Sequence, residues 1–192
     1  MYQRLILLQI GLIVNRLTVI ILLFFSIQIH AQKFIGNHGE VSFFSEALFE
    51  DISAVNKKVS AVFDATNNHL VFQLKISDFL FRKALMKEHF NENYLESDLY
   101  PKSVFKGKIK DWKDLEISDK ELDITVEGEL TIHGVKRNII ESAKIWNTED
   151  KVTGECKFDI AVADYNIKIP RIVRENIAKI IEVSVGVSLK KK

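Results

Sequence analysis

The chain has 192 residues, 47% of them apolar, and a formal charge of +1. That balance lacks the basic face a nucleic-acid-binding surface needs, so no nucleic acid is expected as a partner. The single cysteine, Cys156, excludes an internal disulfide. Two prolines, eight glycines and no low-complexity linker point to one domain held by its own core.

Residues 1–31 contain Arg4 and Arg16 and no acid. An apolar run from Leu17 to Ile29 follows, and the small residue Ala31 ends it. A positive start, an apolar middle and a small residue at the end describe a secretory signal peptide. The run is about thirteen residues, short of the roughly 20 that span a bilayer. Cleavage after Ala31 is therefore expected over retention as an anchor, which takes the charge from +1 to −1 through loss of the two arginines. The product would be a periplasmic or secreted protein with no stable membrane span. Its folded domain is expected over 36–192.

The pattern after Gly36 is β. Phe43 and Phe44 form a short apolar patch. Val55, Val59, Ala61, Phe63 and Ala65 fall on odd positions, with Lys57 the exception. Thr66-Asn67-Asn68 signals a turn, and Leu70, Phe72, Leu74 and Ile76 return on even positions. This predicts a hairpin with one apolar face.

Between Arg82 and Asn93 the period changes. Leu85, His89 and Glu92 make one helical stripe, and Met86, Phe90 and Asn93 make a second beside it. Asn91 and Asn93 suit a helix end, and Pro101 holds Tyr100 extended. One short helix is expected, followed at once by a strand with Phe105, Gly107 and Ile109 on one face.

Residues 111–120 read as a polar loop around Trp112 and Leu115. The clearest strand alternates Leu122, Ile124, Val126, Gly128, Leu130 and Ile132 with polar residues, and Gly134 ends it. Val135, Ile139, Ala143 and Ile145 suggest a return strand, blurred by Ile140 and Trp146. Val152, Gly154, Cys156, Phe158, Ile160 and Val162 alternate after a Thr148-Glu149-Asp150 turn. Ile181, Val183, Val185, Val187 and Leu189 make the last strand. A short helical turn is expected near 173–180, and Lys190–Lys192 reads as a solvated tail. Strands of about eleven residues span roughly 36 Å. Their apolar faces require either a sandwich or a closed barrel. Inward Ala61, Gly107, Gly128, Gly154 and Cys156 would leave room in a barrel of about eight strands.

Three segments resemble the YceI-like proteins, in that family's order. They are His89 with Ser97-Asp98-Leu99-Tyr100-Pro101 and Phe105, then Glu127 to Lys136, then Asp164-Tyr165-Asn166-Ile167-Lys168-Ile169-Pro170. The resemblance covers roughly Gly39 to Leu189. It implies an all-β fold, an elongated antiparallel lipocalin-like β-barrel with one short helix packed near its mouth. It also implies a long-chain lipid or isoprenoid as ligand, held in an axial tunnel. The chain departs from the family at Arg137-Asn138-Ile139, where many members have a proline and a valine-rich strand. It departs again at Asn166, where glycine is common.

The residues themselves offer little chemistry. There is no HExxH, CxxC, G-x-S-x-G or glycine-rich phosphate loop. No cofactor, metal or enzymatic activity is therefore expected. His89 and His133 read either as structural hydrogen-bonding residues or as polar groups orienting a ligand head. Glu88, Glu92, Glu96 and Asp98 surround His89, and a neighbouring acid would tune it. Phe79, Phe81, Phe90, Tyr94, Tyr100 and Phe105 read either as ordinary core or, with Leu85, Met86 and Ile124, as the wall of an apolar site. A ligand head would sit near His89, Tyr94, Tyr100, His133 or Lys168. A filled-core barrel serving as a partner-binding or structural module is the competing reading. The oligomeric state stays open, a homodimer included.

Overall fold

The computed structural model describes residues 33–46, 51–170 and 178–192. The expected signal segment, 1–31, lies outside them, as does most of the helical turn expected near 173–180. Of its described part, Ala178 and Lys179 are not helical and Ile180 opens a strand.

Nine strands make one antiparallel sheet: β1 (Lys33–Ser45), β2 (Ile52–Asp64), β3 (His69–Lys75), β4 (Leu80–Phe81), β5 (Lys102–Ile109), β6 (Leu122–Ile132), β7 (Val135–Thr148), β8 (Lys151–Ala161) and β9 (Ile180–Lys191). Eight of them run in the order β1-β9-β8-β7-β6-β5-β3-β2, and β2 pairs back to β1, so the sheet closes into a barrel. Closure removes the open edges that so long a sheet would otherwise expose. The two-residue β4 takes over as partner of Ala54 and Val55 beyond the point where β3 leaves β2.

The hairpins follow from their turn residues. His133 and Gly134 join β6 to β7 with φ of 50° and 72°, the two-residue turn whose twist matches the flanking strands. Between β2 and β3, Asp64 Oδ1 accepts the Thr66 N–H at 3.0 Å and Asn67 Oδ1 accepts the His69 N–H at 3.1 Å.

The first strand is longer than the apolar patch at Phe43 and Phe44 suggested. It takes in His38 and two glycines because it contains a bulge. One extra residue lies between Gly36 and Gly39 on β1, and a compensating one lies between Asn56 and Val59 on β2. The second bulge reverses the phase of β2: Ala54 and Asn56 face inward where the alternation assigned Val55. Asn56 is fully buried. Its Oδ1 accepts the Lys58 N–H at 2.9 Å and its Nδ2 donates to the Lys75 carbonyl at 2.8 Å, which fixes the bulge. The basic C-terminus is not a loose end either. Lys190 and Lys191 complete β9, and the Lys192 N–H donates to the Lys33 carbonyl at 2.9 Å.

One end of the barrel is filled. Phe63, Leu70, Ile109, Ile124, Val126, Ile145, Val152 and Leu189 pack as one cluster there. Trp112 closes that end edge-on against Phe63, with ring centroids 4.8 Å apart, and its Nε1 donates to the Ala65 carbonyl at 2.9 Å. The polar loop of the sequence is therefore a lid over a packed core.

Candidate functional site

The barrel encloses a cavity of about 240 Å³. At the Trp112 end it is lined by the cluster itself, from Phe63 and Leu70 to Ile109 and Val126. Its wall comes from alternate residues of the strands, among them Phe105, Leu130, Ile139, Phe158 and Val183. Its roof is aromatic. Phe43, Phe79, Phe81 and Phe90 form a cluster with ring centroids 5.0–5.9 Å apart, and all but Phe81 line the cavity.

The roof depends on an irregular helix. The α-helix α1 (Ala84–His89) is only six residues long and has no side-chain N-cap, too short to be stable alone. It widens into a π-helical turn over Phe90–Tyr94, in which the Leu95 N–H donates to the Phe90 carbonyl at 2.9 Å. Residues five apart on a regular α-helix point about 140° away from each other. The wider turn lets both Phe90 and Leu95 line the cavity.

Glycine does not create the space as expected. Gly107 and Gly128 face each other across β5 and β6. A Cβ on Gly107 would collide with the Glu127 carbonyl and with the Phe105 ring, and one on Gly128 would collide with the Lys106 backbone. These two allow close approach of strands. Of the three inward glycines expected to make room, Gly154, whose Cβ would meet nothing nearer than 3.5 Å, is the one that leaves open volume in the wall.

Of the residues expected at the site, Phe79, Phe90, Phe105 and Ile124 line the cavity. Phe81 packs behind Phe90 and faces a shallow outer depression with Leu80 and Arg82. Met86 is half-buried but does not line the cavity, and Leu85 is 60% exposed, because the stripe of Leu85, His89 and Glu92 faces solvent. His89 and Lys168 are exposed. Tyr94 is half-buried, and burial raises its phenol above the ordinary range. Tyr100 lies edge-on against His133, with ring centroids 4.5 Å apart.

His133 is buried outside the cavity. Its Nδ1 donates to the Tyr165 carbonyl at 3.1 Å, and its Nε2 pairs with Glu96 Oε2 at 2.7 Å. The acid expected to tune His89 thus serves His133, and the constellation ties three chain segments together.

Three cavity features carried no clear mark in the sequence. Phe43 sits beside Phe44 in β1, and only the phase of a bulged strand decides which of the two points inward. Leu95 depends on the π-helical turn. Glu141 shares the inward parity of Ile139, Ala143 and Ile145 and lines the cavity, yet a lone acid in a blurred strand reads as an outward residue. Burial, and then the charge of Asp159, raises the Glu141 carboxyl above its ordinary value. The Cys156 thiol also lines the cavity and is pushed up to about 11, first by burial and then by Glu141. It stays a protonated thiol at neutral pH, a poor nucleophile.

A closed barrel with an apolar cavity, a short helix at its mouth and the His133-Gly134 hairpin agrees with the sequence match: the YceI-like domain model aligns with residues 33–189. The chain belongs to the YceI-like domain family. No curated protein matches it. Solved structures share the family fold at low identity. A polyisoprenoid binding domain from Saccharophagus degradans, implicated in plant cell wall breakdown, superposes with a TM-score of 0.72 at 11% identity, over 84% of this chain and 99% of that one. BcnA of Burkholderia cenocepacia gives 0.65 at 14% identity, over 79% and 95%. The YceI protein of Campylobacter jejuni gives 0.58 at 19% identity, over 77% and 89%. Among the described residues, no helix of this YceI-like chain is long and apolar enough to cross a membrane.

Proposed function

We propose that this YceI-like protein binds a long-chain amphiphile, a polyisoprenoid or the tail of an isoprenoid quinone, and carries or sequesters it without chemical change. The observation that carries this reading is the cavity itself, walled almost wholly by apolar side chains inside a closed barrel. Each methylene moved from water into such a space gains about 0.8 kcal/mol. A long chain is therefore the kind of ligand that the shape rewards. The description of the Saccharophagus degradans neighbour as a polyisoprenoid binding domain supports the same class. Carriage would take place in the periplasm or outside the cell, after removal of residues 1–31.

The test is native mass spectrometry of the protein purified from a Gram-negative host without detergent, before and after organic extraction. The expected result is a near-stoichiometric added mass that extraction removes and identifies as a prenyl or other long-chain species. A ligand-free mass, from protein that also takes up no added prenyl alcohol, would overturn the reading in favour of a partner-binding module.

A further inference from the structure

The wall of the barrel is not uniform. β6 and β7 pair along eleven residues, from Leu122–Ile145 to Ile132–Val135, and β8 and β9 along eleven, from Lys151–Lys190 to Ala161–Ile180. Between them, β7 and β8 pair over only six, from Thr148–Lys151 to Ala143–Cys156. Beyond that point both strands continue, β7 back to Val135 and β8 on to Ala161, without pairing to each other. On β2 the departing partner is replaced by β4; here no described strand takes over. At the last rung the Cys156 thiol donates to the Ser142 carbonyl at 3.3 Å, where a ladder N–H would otherwise serve.

Glu141 stands at this opening, one inward position past the last rung. Its side chain lines a cavity whose surface is mostly apolar, with Gln73, Ser103, Lys144 and Glu155 also at its edge. Two other inward polar side chains on the paired strands are already committed: the Ser103 hydroxyl to the Thr131 carbonyl at 2.9 Å, and Asn56 to the bulge of β2. Asp159 and Cys156 on β8 and Tyr165 beyond it act electrostatically with Glu141; Asp159 is acidic, and Cys156 and Tyr165 are uncharged at neutral pH. The one cation seen to act on this group of residues is Arg137, which acts on Tyr165 and is held on the Asp164 carbonyl. Among the described residues no side chain donates a hydrogen bond to the Glu141 carboxyl. Its oxygens are not among the fully buried unpaired atoms, so water at the opening serves as their donor. A bound head group that donates a hydrogen bond can take the place of that water.

Resting on the lipid-binding reading, we propose that the ligand's polar head sits at the opening between β7 and β8 and donates a hydrogen bond to Glu141. The head is then an alcohol or an ammonium rather than a phosphate or a carboxylate. The apolar chain runs from there into the closed half of the barrel. An anionic head at this place would face Glu141, with the exposed Asp159 on the outer face of β8 adding to the repulsion. An alcohol or ammonium gives Glu141 its donor, and the gap leaves the head's remaining hydrogen bonds to water.

The test compares three probes with one chain: geranylgeraniol, geranylgeranylamine and geranylgeranyl monophosphate. Each is titrated into delipidated protein and into Glu141→Gln, with binding read by native mass spectrometry. The alcohol and the amine are expected to bind at least about tenfold more tightly than the monophosphate. In Glu141→Gln that preference is expected to fall to about twofold, because the glutamine amide both donates and accepts. Monophosphate binding equal to or tighter than the alcohol, or an unchanged preference in Glu141→Gln, would overturn the proposal while leaving the lipid-binding reading intact. Failure of all three probes to bind would overturn both.

Discussion

Nε2 of His133 and Oε2 of Glu96 stand 2.7 Å apart, across 37 residues of sequence. The contact joins the segment after the helix to the β6–β7 hairpin, and the other ring nitrogen of His133 reaches the Tyr165 carbonyl. Tyr100 packs on the imidazole from the side, and its ring also lies where a Cβ on Gly134 would stand. Three segments that are far apart in sequence, at Glu96–Tyr100, at the β6–β7 hairpin and at Tyr165, are thus tied together by one side chain.

His133→Ala is expected to lower stability by about 1–3 kcal/mol, since it leaves Glu96 and the Tyr165 carbonyl without their partner. Glu96→Gln is expected to cost less, because an amide still hydrogen-bonds to the ring. Glu92→Gln, in the exposed stripe of α1, should change little. Urea midpoints for the three variants check the order. Equal midpoints for His133→Ala and Glu92→Gln would show that the constellation has no structural weight.

Hydrophobic alternation made most of the barrel legible, because a half-buried strand has period two and the turns carry their own residues. It failed where the backbone breaks period. The paired bulges of β1 and β2 put Asn56 inside and Val55 outside, and no side-chain pattern announces a bulge whose stabilising contact is Asn56 reaching Lys75. The site was less legible for the same reason. The helical stripes of Leu85 and Met86 were equivalent in sequence, and packing against the Phe43 cluster decided which one turned inward. Aromatic residues at Phe79, Phe90 and Phe105 were found because they are large and apolar. Glu141 was not, because its meaning comes from where the β7–β8 ladder stops.

The glycines separate into two kinds, and substitution distinguishes them. Gly128→Ala is expected to destabilise by about 1–3 kcal/mol, as a Cβ there meets backbone atoms that cannot move aside. Gly154→Ala is expected to be neutral or to stabilise by up to about 1 kcal/mol through loss of unfolded-state freedom. Gly154→Leu should fold and lose bound lipid, because its side chain fills the cavity. Thermal unfolding together with lipid extraction checks all three. A Gly154→Leu protein that retains its lipid would place the chain elsewhere in the barrel.

The thiol of Cys156 reports on its neighbour. With the thiol pushed up to about 11, alkylation of folded protein by iodoacetamide at pH 8 is expected to be slow. Glu141→Gln removes one of the two causes and should speed the reaction, because the thiolate no longer forms beside a negative charge. Bound lipid should slow it in both proteins, since Cys156 lines the cavity. Rates followed by mass spectrometry decide this. Identical rates in the two proteins would mean that the carboxyl does not reach the thiol.

Glu141 also sets a pH dependence of stability. Burial and Asp159 raise its carboxyl in the folded protein above the unfolded value, so the native state holds its proton more tightly than the unfolded chain does. Above the raised value the ionised group counts against the fold. As pH falls through that value the native state gains a proton first, and the penalty disappears by the time both states are protonated. This acid therefore opposes the usual trend, in which paired carboxylates lose stability on acidification. Glu141→Gln, which is never ionised, is expected to raise the unfolding temperature of lipid-free protein at pH 8 and to match the parent below about pH 4. Melting curves of both proteins from pH 4 to pH 8 measure the difference. A gain that is the same at every pH would assign the effect to packing of the amide and not to the charge.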